Sequence, residues 1–277
     1  MISPQEIAST VARALAEDVG SGDLSAALIS AETQVCARVF SRQPTIIAGR
    51  PWFDEVFRQL DANVVVEWQA QEGQAVAAGK TLCHLRGPAR ALLTGERTAL
   101  NFLQMLSATA TKARCYVEAV KGTGAVILDT RKTVPGLRAA QKYAVTCGAA
   151  SNHRMGLFDV ILIKENHIAA AGSLTHVVRT ARQQHPDINI EVEVEGVAQF
   201  EEALAAGADM ILLDNFALAD LKVAVEINNH RARLEASGGV TLRNVRAIAE
   251  TGVDYISVGA LTKDIHAIDL SMRIMVE

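Results

Sequence analysis

The sequence predicts an α/β protein in which a (β/α) barrel follows a smaller α+β domain. The first observation is a series of short apolar runs from about residue 125 onward, separated by helix-like stretches and mostly ending on a charged residue or a Ser-Gly step. Such runs are typical of parallel strands in a βα repeat. The second is the segment 33–87, where apolar and polar residues alternate between glycines. Because the carboxyl ends of barrel strands converge on one mouth, the residues that end the runs are candidate site residues.

The N-terminal part begins with a helix start signal. Ser3-Pro-Gln-Glu6 has the spacing of a capping box with proline at the first helical position, and the helix should end near Gly20. The alternation over 33–87 then predicts an antiparallel sheet with one face against a core. A helical pattern extends from Leu92 to about Val120, and Ser107–Thr111 is predicted to break it into two helices.

The predicted domain boundary lies at this break. Residues 1–108 form an N-terminal α+β sandwich domain, 109–266 form the barrel, and 267–277 are expected to pack back on the first domain. Six predicted strands lie in the barrel, at 125–129, 160–163, 191–195, 210–213, 234–236 and 255–256. Five predicted helices lie between or after them, at Leu137–Val145, Leu174–Gln184, Val197–Ala206, Leu218–Asn228 and Leu242–Thr251.

Composition restricts the possible partners and location. The chain has 277 residues, 49% of them hydrophobic, and a formal net charge of −4, which argues against a nucleic-acid partner. Its cysteines are far apart and favour neither a zinc cluster nor a disulfide framework: Cys36, Cys83, Cys115 and Cys147. Without a visible signal peptide or membrane span, we expect a cytoplasmic protein that does not bind a membrane.

A basic cluster lies within residues 129–167. Six cations stand there against three acids, Asp129, Asp159 and Glu165, and the cations are Arg131, Lys132, Arg138, Lys142, Arg154 and Lys164. A barrel mouth with this local charge predicts a substrate with several negative charges. For Lys142, on a predicted helix, a solvated basic face is an equal alternative. Lys164 ends an apolar run and should be partly buried, which is rare for lysine without a partner.

Carboxylates end two other strands. In 191–195 the glutamates alternate with valines, so the glutamates are predicted to point into the barrel. Asp214 follows an Ile-Leu-Leu run at the next strand end. Glu193 and Asp214 could hold Mg²⁺ through water or bind sugar hydroxyls, whereas a structural layer of salt bridges is the alternative.

Glycine steps follow the last two predicted strands. Ser237-Gly238-Gly239 and Ser257-Val258-Gly259 present backbone N–H groups that a phosphate can approach without obstruction from a Cβ. Barrels often place a phosphate site here, so these six residues are predicted to bind phosphate.

Several motifs in chain order resemble the quinolinate phosphoribosyltransferase family. They are Gly95-Glu-Arg-Thr-Ala-Leu-Asn101, Asp129-Thr-Arg-Lys-Thr-Val-Pro-Gly-Leu-Arg138, Asn152-His-Arg154, Leu162-Ile-Lys-Glu-Asn-His167, Leu213-Asp-Asn215 and Val258-Gly-Ala-Leu-Thr262. The resemblance implies an open barrel with fewer than eight strands, a homodimer, and Mg²⁺ as cofactor. The implied reaction transfers a phosphoribosyl group from phosphoribosyl pyrophosphate to quinolinate, with decarboxylation to nicotinate mononucleotide, CO₂ and pyrophosphate.

The resemblance also implies roles for residues. Arg97 would reach into the partner's site, and the substrate-binding set would be Thr130, Arg131, Lys132, His153, Arg154 and Lys164. The implied catalytic set is Lys132, Lys164, Glu193 and Asp214, of which the two acids lie toward the metal and ribose. One departure is Ala149-Ala150, because glycines often follow Cys147-Gly148 in the family.

Three alternatives stay open at this point. The first keeps the fold and acts on another pyridine, or serves metal metabolism. The second is a Schiff-base aldolase with Lys164 as nucleophile, which leaves Arg131, Arg154 and the carboxylates without a role. The third, a non-enzyme, rests on Gln71–Gly79, which resembles the turn of biotinyl and lipoyl carrier domains but has no lysine between two such halves.

Overall fold

The computed structural model describes residues 2–275, and their contacts divide the chain into two compact units. The first unit comprises the chain up to Arg114, Thr133–Ala149, and the chain from Leu261 onward. The second comprises Cys115–Lys132 and Ala150–Ala260. Residues 133–149, which the sequence analysis assigned to the barrel domain, therefore group with the first unit.

Helices and strands follow one another along both units. The helices are α1 (Pro4–Val19), α2 (Arg50–Leu60), α3 (Ala89–Ala119), α4 (Arg138–Cys147), α5 (Glu165–Ala171), α6 (Leu174–Gln184), α7 (Val197–Ala206), α8 (Leu218–Asn228), α9 (Val245–Ala249) and α10 (Ala260–Lys263), with a 3₁₀ turn at Ala26–Leu28. The strands are β1 (Gln34–Ser41), β2 (Thr45–Ile46), β3 (Val65–Trp68), β4 (Ala75–Val76), β5 (Thr81–Pro88), β6 (Val126–Leu128), β7 (Ile161–Ile163), β8 (Ile190–Val194), β9 (Met210–Asp214), β10 (Arg233–Ser237), β11 (Tyr255–Ser257) and β12 (Leu270–Met275).

The first unit is built on an antiparallel sheet of order β12-β1-β5-β3, beside a small β2-β4 pair. The C-terminal strand β12 thus returns to β1, with Ala37 opposite Ile274. Helix α1 begins as predicted, because the Ser3 hydroxyl accepts a hydrogen bond from the Glu6 amide at 3.1 Å, and it ends before Gly20.

Helix α2 was not predicted, and its cap explains why. Arg50–Leu60 lies inside the segment assigned to a sheet, and it buries Trp52 and Phe53 in the core of the first unit. Its free N-terminal amides are satisfied by a distant carboxylate: Glu72 accepts from Gly49 at 3.0 Å and from Arg50 at 2.6 Å. A cap that comes from over twenty residues away leaves no local start signal.

The predicted helix break at Ser107–Thr111 is wrong, since α3 is continuous through it. The hydroxyl groups there contact the N-terminal sheet segment instead. Ser107 Oγ bonds both the amide and the carbonyl of Ala48 at 3.1 Å, and Thr111 Oγ1 accepts from the Ile46 amide at 2.8 Å. Polar residues that suggested a break are therefore tertiary contacts made from a helix.

The second unit contains a six-stranded parallel sheet of order β6-β11-β10-β9-β8-β7. The first strand pairs with the last, so the sheet is an open (β/α) barrel whose two edges are β6 and β7. All six predicted strands are confirmed, and α6, α7 and α8 have the predicted bounds. Helix α9 is shorter than predicted, and α5 was not predicted. None of the helices in residues 2–275 is long and apolar enough to span a membrane.

Candidate active site

A cavity of about 460 Å³ lies at the carboxyl end of the barrel strands, within the second unit. This volume suits a small-molecule site. Ten of its lining residues are candidates from the sequence: Thr130, Arg131, Lys132, His153, Arg154, Lys164, Glu193, Asp214, Ser237 and Ser257. Leu162, Leu212 and Glu235 also line it.

Strand alternation brings these side chains together. Val192 and Val194 of β8 are fully buried, whereas Glu193 faces the cavity and Glu191 lies one layer deeper. Glu195, also predicted to point inward, is exposed because β8 ends at Val194. The hydroxyl of Thr130 accepts from the Lys132 amide at 3.1 Å and so shapes the turn that follows β6.

The upper layer of the cavity contains cations and carboxylates in contact. The Lys164 ammonium pairs with Glu193 Oε2. Burial and the neighbouring Glu193 charge raise the pKa of Asp214, against the opposing charges of Lys164 and Lys132. Asp214 also accepts from the Asn215 side chain at 2.8 Å. Two carboxylates that line the same cavity are a suitable donor pair for a hard divalent cation.

The cations are crowded as well. Burial and the nearby Arg131 charge lower the pKa of Arg154, which shows that positive groups repel one another in this wall. A bound anion would relieve that repulsion, because guanidinium groups pair with carboxylates and phosphates in a fork geometry. The cavity is therefore suited to a small polyanion.

The glycine steps differ in what their backbone can offer. Gly238 has φ +89°, and a Cβ there would lie 2.1 Å from Asn215 Oδ1, so glycine is required. A Cβ on Gly259 would lie 3.0 Å from Lys132 Cδ, whereas Gly239 faces open space. The structure does not support the predicted phosphate contact of Val258, because its amide donates to the Leu128 carbonyl at 2.9 Å and its side chain is buried. That amide is already part of the sheet.

A buried polar layer beneath the cavity was missed from the sequence. His153 Nε2 lies 3.0 Å from Glu191 Oε2 and 3.3 Å from Glu235 Oε2, and both carboxylates are almost completely buried. Leu234-Glu-Ala236 alternates like β8, so its inward glutamate could have been predicted in the same way. What the sequence could not show is that His153 lies between them.

The hydrogen bonds of His153 define its tautomer. The Arg154 amide donates to Nδ1 at 2.7 Å, so Nδ1 has no proton and Nε2 carries it toward the carboxylates. Burial lowers the pKa of His153, whereas the hydrogen bonds and charges of Glu191 and Glu235 raise it, which favours the proton that Nε2 directs at these carboxylates. The three side chains also have the composition of a metal site, and with the proton on Nε2 they contact one another directly. This layer is a hydrogen-bonded cluster.

Asp129 forms further hydrogen bonds with the segment 151–154, which contains His153. It is fully buried, and it accepts from the His153 amide at 2.8 Å and from the Asn152 side chain at 2.7 Å. Sequence analysis counted Asp129 only as an acid within the basic cluster. Its hydrogen bonds fix the backbone that carries His153 and Arg154.

Three predicted cations lie in the first unit. Arg97 is on the exposed face of α3. Arg138 donates to Thr133 Oγ1 at 3.1 Å. Lys142 is only 1% exposed, so the alternative of a solvated face is wrong for this residue.

Comparison with known proteins gives a consistent match over most of the chain. The family model described as quinolinate phosphoribosyl transferase, C-terminal domain, matches residues 109–273, and the model of the N-terminal domain matches 23–107. A nicotinate-nucleotide pyrophosphorylase [carboxylating] of Mycobacterium leprae is 43% identical over 272 residues, covering 95% of each chain. The human protein of that name is 37% identical, covering 99% of this chain and 93% of the relative.

Solved structures agree with the sequence matches. The nicotinate-nucleotide pyrophosphorylase from Francisella tularensis superposes with a TM-score of 0.95 at 42% identity, covering 99% of this chain and 98% of that one. Similarity of this extent includes both units and the whole cavity wall.

Proposed function

Because the chain belongs to the quinolinate phosphoribosyl transferase family, we propose that it transfers the phosphoribosyl group of phosphoribosyl pyrophosphate to quinolinate, with loss of CO₂. The products are nicotinate mononucleotide, CO₂ and pyrophosphate, which makes the protein a pentosyltransferase of NAD biosynthesis. The observation that carries this proposal is the polyanion-suited cavity at the barrel mouth, lined by cations from β6, β7 and the 151–154 segment and by carboxylates from β8 and β9.

Both substrates fit these charges. Quinolinate is a pyridine with two adjacent carboxylates, and Arg131 and Arg154 provide fork-shaped donors for them. Lys132 and Lys164 supply point charges for phosphate oxygens. Gly239 faces open space and leaves the backbone after β10 open to the 5′-phosphate.

The chemistry needs positioning more than covalent participation by the protein. The pyridine nitrogen attacks the anomeric carbon as the bond to pyrophosphate breaks, and positive charge develops on the ribosyl ring. Glu193 and Asp214, which line the cavity, would stabilise that charge. When the adjacent carboxylate leaves as CO₂, its bonding electron pair stays on the ring carbon as a carbanion, which the positive charge of the neighbouring pyridinium nitrogen stabilises until a proton adds at that carbon.

Glu193 and Asp214 are also the residues that would hold Mg²⁺, directly or through water. Bound there, Mg²⁺ would neutralise charge on the pyrophosphate leaving group. The raised pKa of Asp214, caused by burial and then by Glu193, supports this assignment because a divalent cation would offset both effects.

We also propose a homodimer in which Arg97 completes the partner's site. Its position on an exposed helix face, outside the unit that contains the cavity, supports such a role. The aldolase and carrier alternatives have no such support. Lys164 is paired with Glu193, and Gln71–Gly79 lies within the matched N-terminal family domain.

The direct test mixes the protein with quinolinate, phosphoribosyl pyrophosphate and Mg²⁺, and measures labelled CO₂ and nicotinate mononucleotide. We expect both products in equal amounts, and neither when EDTA replaces Mg²⁺. Turnover of a different pyridine with no reaction of quinolinate would favour the same-fold alternative and refute the proposal.

A further inference from the structure

The segment 151–154 forms a wall between two cavities of the second unit. His153 and Arg154 line the substrate cavity and also a second cavity of about 450 Å³. The second cavity lies among the amino-terminal ends of the strands, beside Asn189, Met210 and Tyr255. Arg154 therefore has space on both sides, and its guanidinium makes one long hydrogen bond, from Nη1 to the Val160 carbonyl at 3.4 Å.

Hydrogen bonds, rather than packing, fix the position of the segment 151–154. The His153 ring uses Nδ1 to accept from the Arg154 amide and directs Nε2 at Glu191 and Glu235. One imidazole thus connects the backbone of Arg154 to two strands, β8 and β10. In this arrangement His153 also connects Arg154 to the buried carboxylates, in addition to the substrate contact that the family resemblance implies.

The two carboxylates have few partners for groups that are almost completely buried. Apart from their contacts with His153 and a hydrogen bond between Ser257 and Glu235, the side-chain oxygens of Glu191 and Glu235 are excluded from solvent and without partners. Buried acids in this state are unfavourable for folding, and apolar residues of equal volume often stabilise a protein more. The presence of two buried carboxylates is therefore better explained by a role in positioning other residues.

We propose that Glu191 and Glu235 are positioning residues, which act through His153 to hold Arg154 in the wall of the substrate cavity. The effect on substrate rests on the proposed function, in which Arg154 binds a carboxylate of quinolinate. The clamp itself does not depend on that function and can be observed without substrate.

The test compares two double variants of equal side-chain volume. Glu191→Gln with Glu235→Gln keeps an acceptor for the His153 Nε2–H, whereas Glu191→Met with Glu235→Met removes it. Glu250→Met, at an exposed carboxylate paired with Arg246 at 2.6 Å, is the control for the same chemical change. Arg154→Ala gives the quinolinate affinity expected when the guanidinium is lost, and thermal melting verifies that each variant folds.

We expect quinolinate affinity, measured calorimetrically without phosphoribosyl pyrophosphate, to fall about tenfold in the Met variant, as for a lost charged hydrogen bond. The Gln variant and the control should stay within about twofold of the parent, a difference far below that expected for a lost contact. The melting temperature of the Met variant should fall, because its His153 Nε2–H is left without an acceptor, whereas the Gln variant and the control should melt near the parent. Unchanged affinity in a folded Met variant would overturn the proposal, as would unchanged affinity in Arg154→Ala.

Nitrogen NMR of protein labelled at histidine and arginine separates this inference from the proposed function. The parent should show His153 protonated at Nε2 alone, and the Arg154 amide signal should shift or broaden in the Met variant only. If the parent neither binds nor converts quinolinate but these signals respond as expected, the proposed function fails and the clamp stands. If the Arg154 amide is unaffected in the Met variant, the clamp is refuted whatever the enzyme does.

Discussion

Replacing Ala149 with glycine should stabilise the protein, because the backbone of Ala149 has a left-handed conformation. Its φ is +67°, directly after helix α4 and Gly148. For a residue with a Cβ this region costs about 1–2 kcal/mol. The neighbouring glycine cannot take over that position, since Gly148 has φ −75° and a Cβ on it would lie 2.4 Å from the Ala110 carbonyl oxygen. Close packing therefore requires glycine at position 148, and the alanine at position 149 has the left-handed conformation.

The magnitude follows from two opposing terms. Ala149→Gly removes the left-handed penalty, and glycine adds about 0.5–1 kcal/mol of conformational freedom to the unfolded chain. Ala149 is exposed, so the loss of its methyl group removes little packing. The net expectation is a stabilisation of about 0.5–1 kcal/mol, which for a chain of this size corresponds to a melting temperature about 1–3 °C higher.

Calorimetry or thermal melting of matched variants measures this change in stability. Ala150→Gly is the control, because Ala150 is buried and is absent from the positive-φ residues of the described chain, so its replacement should lower stability by about 1 kcal/mol. Ala149→Val should lower it further, since β-branched residues are strongly disfavoured at positive φ. Equal destabilisation by glycine at 149 and at 150 would refute the assignment of backbone strain.

Three further predictions concern the reaction. Nicotinate should not replace quinolinate in a steady-state assay, because one missing carboxylate leaves a partly buried cation of the cavity wall unpaired. Comparable turnover of both would contradict the two-carboxylate site. Arg97→Ala mixed with Lys164→Ala should regain activity after subunit exchange, because hybrid dimers contain one intact site, and no recovery after verified exchange would exclude a shared site. Asp214→Asn should lower kcat far more than quinolinate affinity, because the charge acts on the developing ribosyl cation. If Asp214 were instead a structural partner of a cation, melting would reveal a loss of roughly 3–5 kcal/mol with near-normal kcat.

Elements with a strong local period could be predicted from the sequence, and those held by distant groups could not. The bounds of α6, α7 and α8 follow from apolar spacing and nearby turn residues. Helix α2 depends on the carboxylate of Glu72. Helix α5 is preceded by Lys164, whose amide donates to His167 Nδ1 at 2.9 Å, and this is not a usual cap. Local pattern cannot show a cap of either kind.

The residues of the candidate site also fall into those that the sequence could predict and those that it could not. Residues that end strands could be assigned to one cavity, because parallel strands with period-two alternation bring them to one edge. The buried layer of His153, Glu191 and Glu235 needs a second fact, namely where the 151–154 segment lies relative to the sheet. That is a long-range contact, and neither charge nor spacing determines it.

The open edge of the barrel and the placement of Arg154 have a common physical origin. Strand β6 would leave backbone groups unpaired at its outer edge, which is unfavourable in a buried sheet. Ser151 pairs with them: its amide donates to the Ile127 carbonyl at 2.9 Å, and its carbonyl accepts from the Asp129 amide at 3.1 Å. Once that bridge is made, the next residues must pass across the gap toward β7, so His153 enters the barrel interior and Arg154 follows it into the cavity wall. A seventh full strand would complete the edge pairing but would give its residues strand alternation, and the connected arrangement of His153 and Arg154 would be lost.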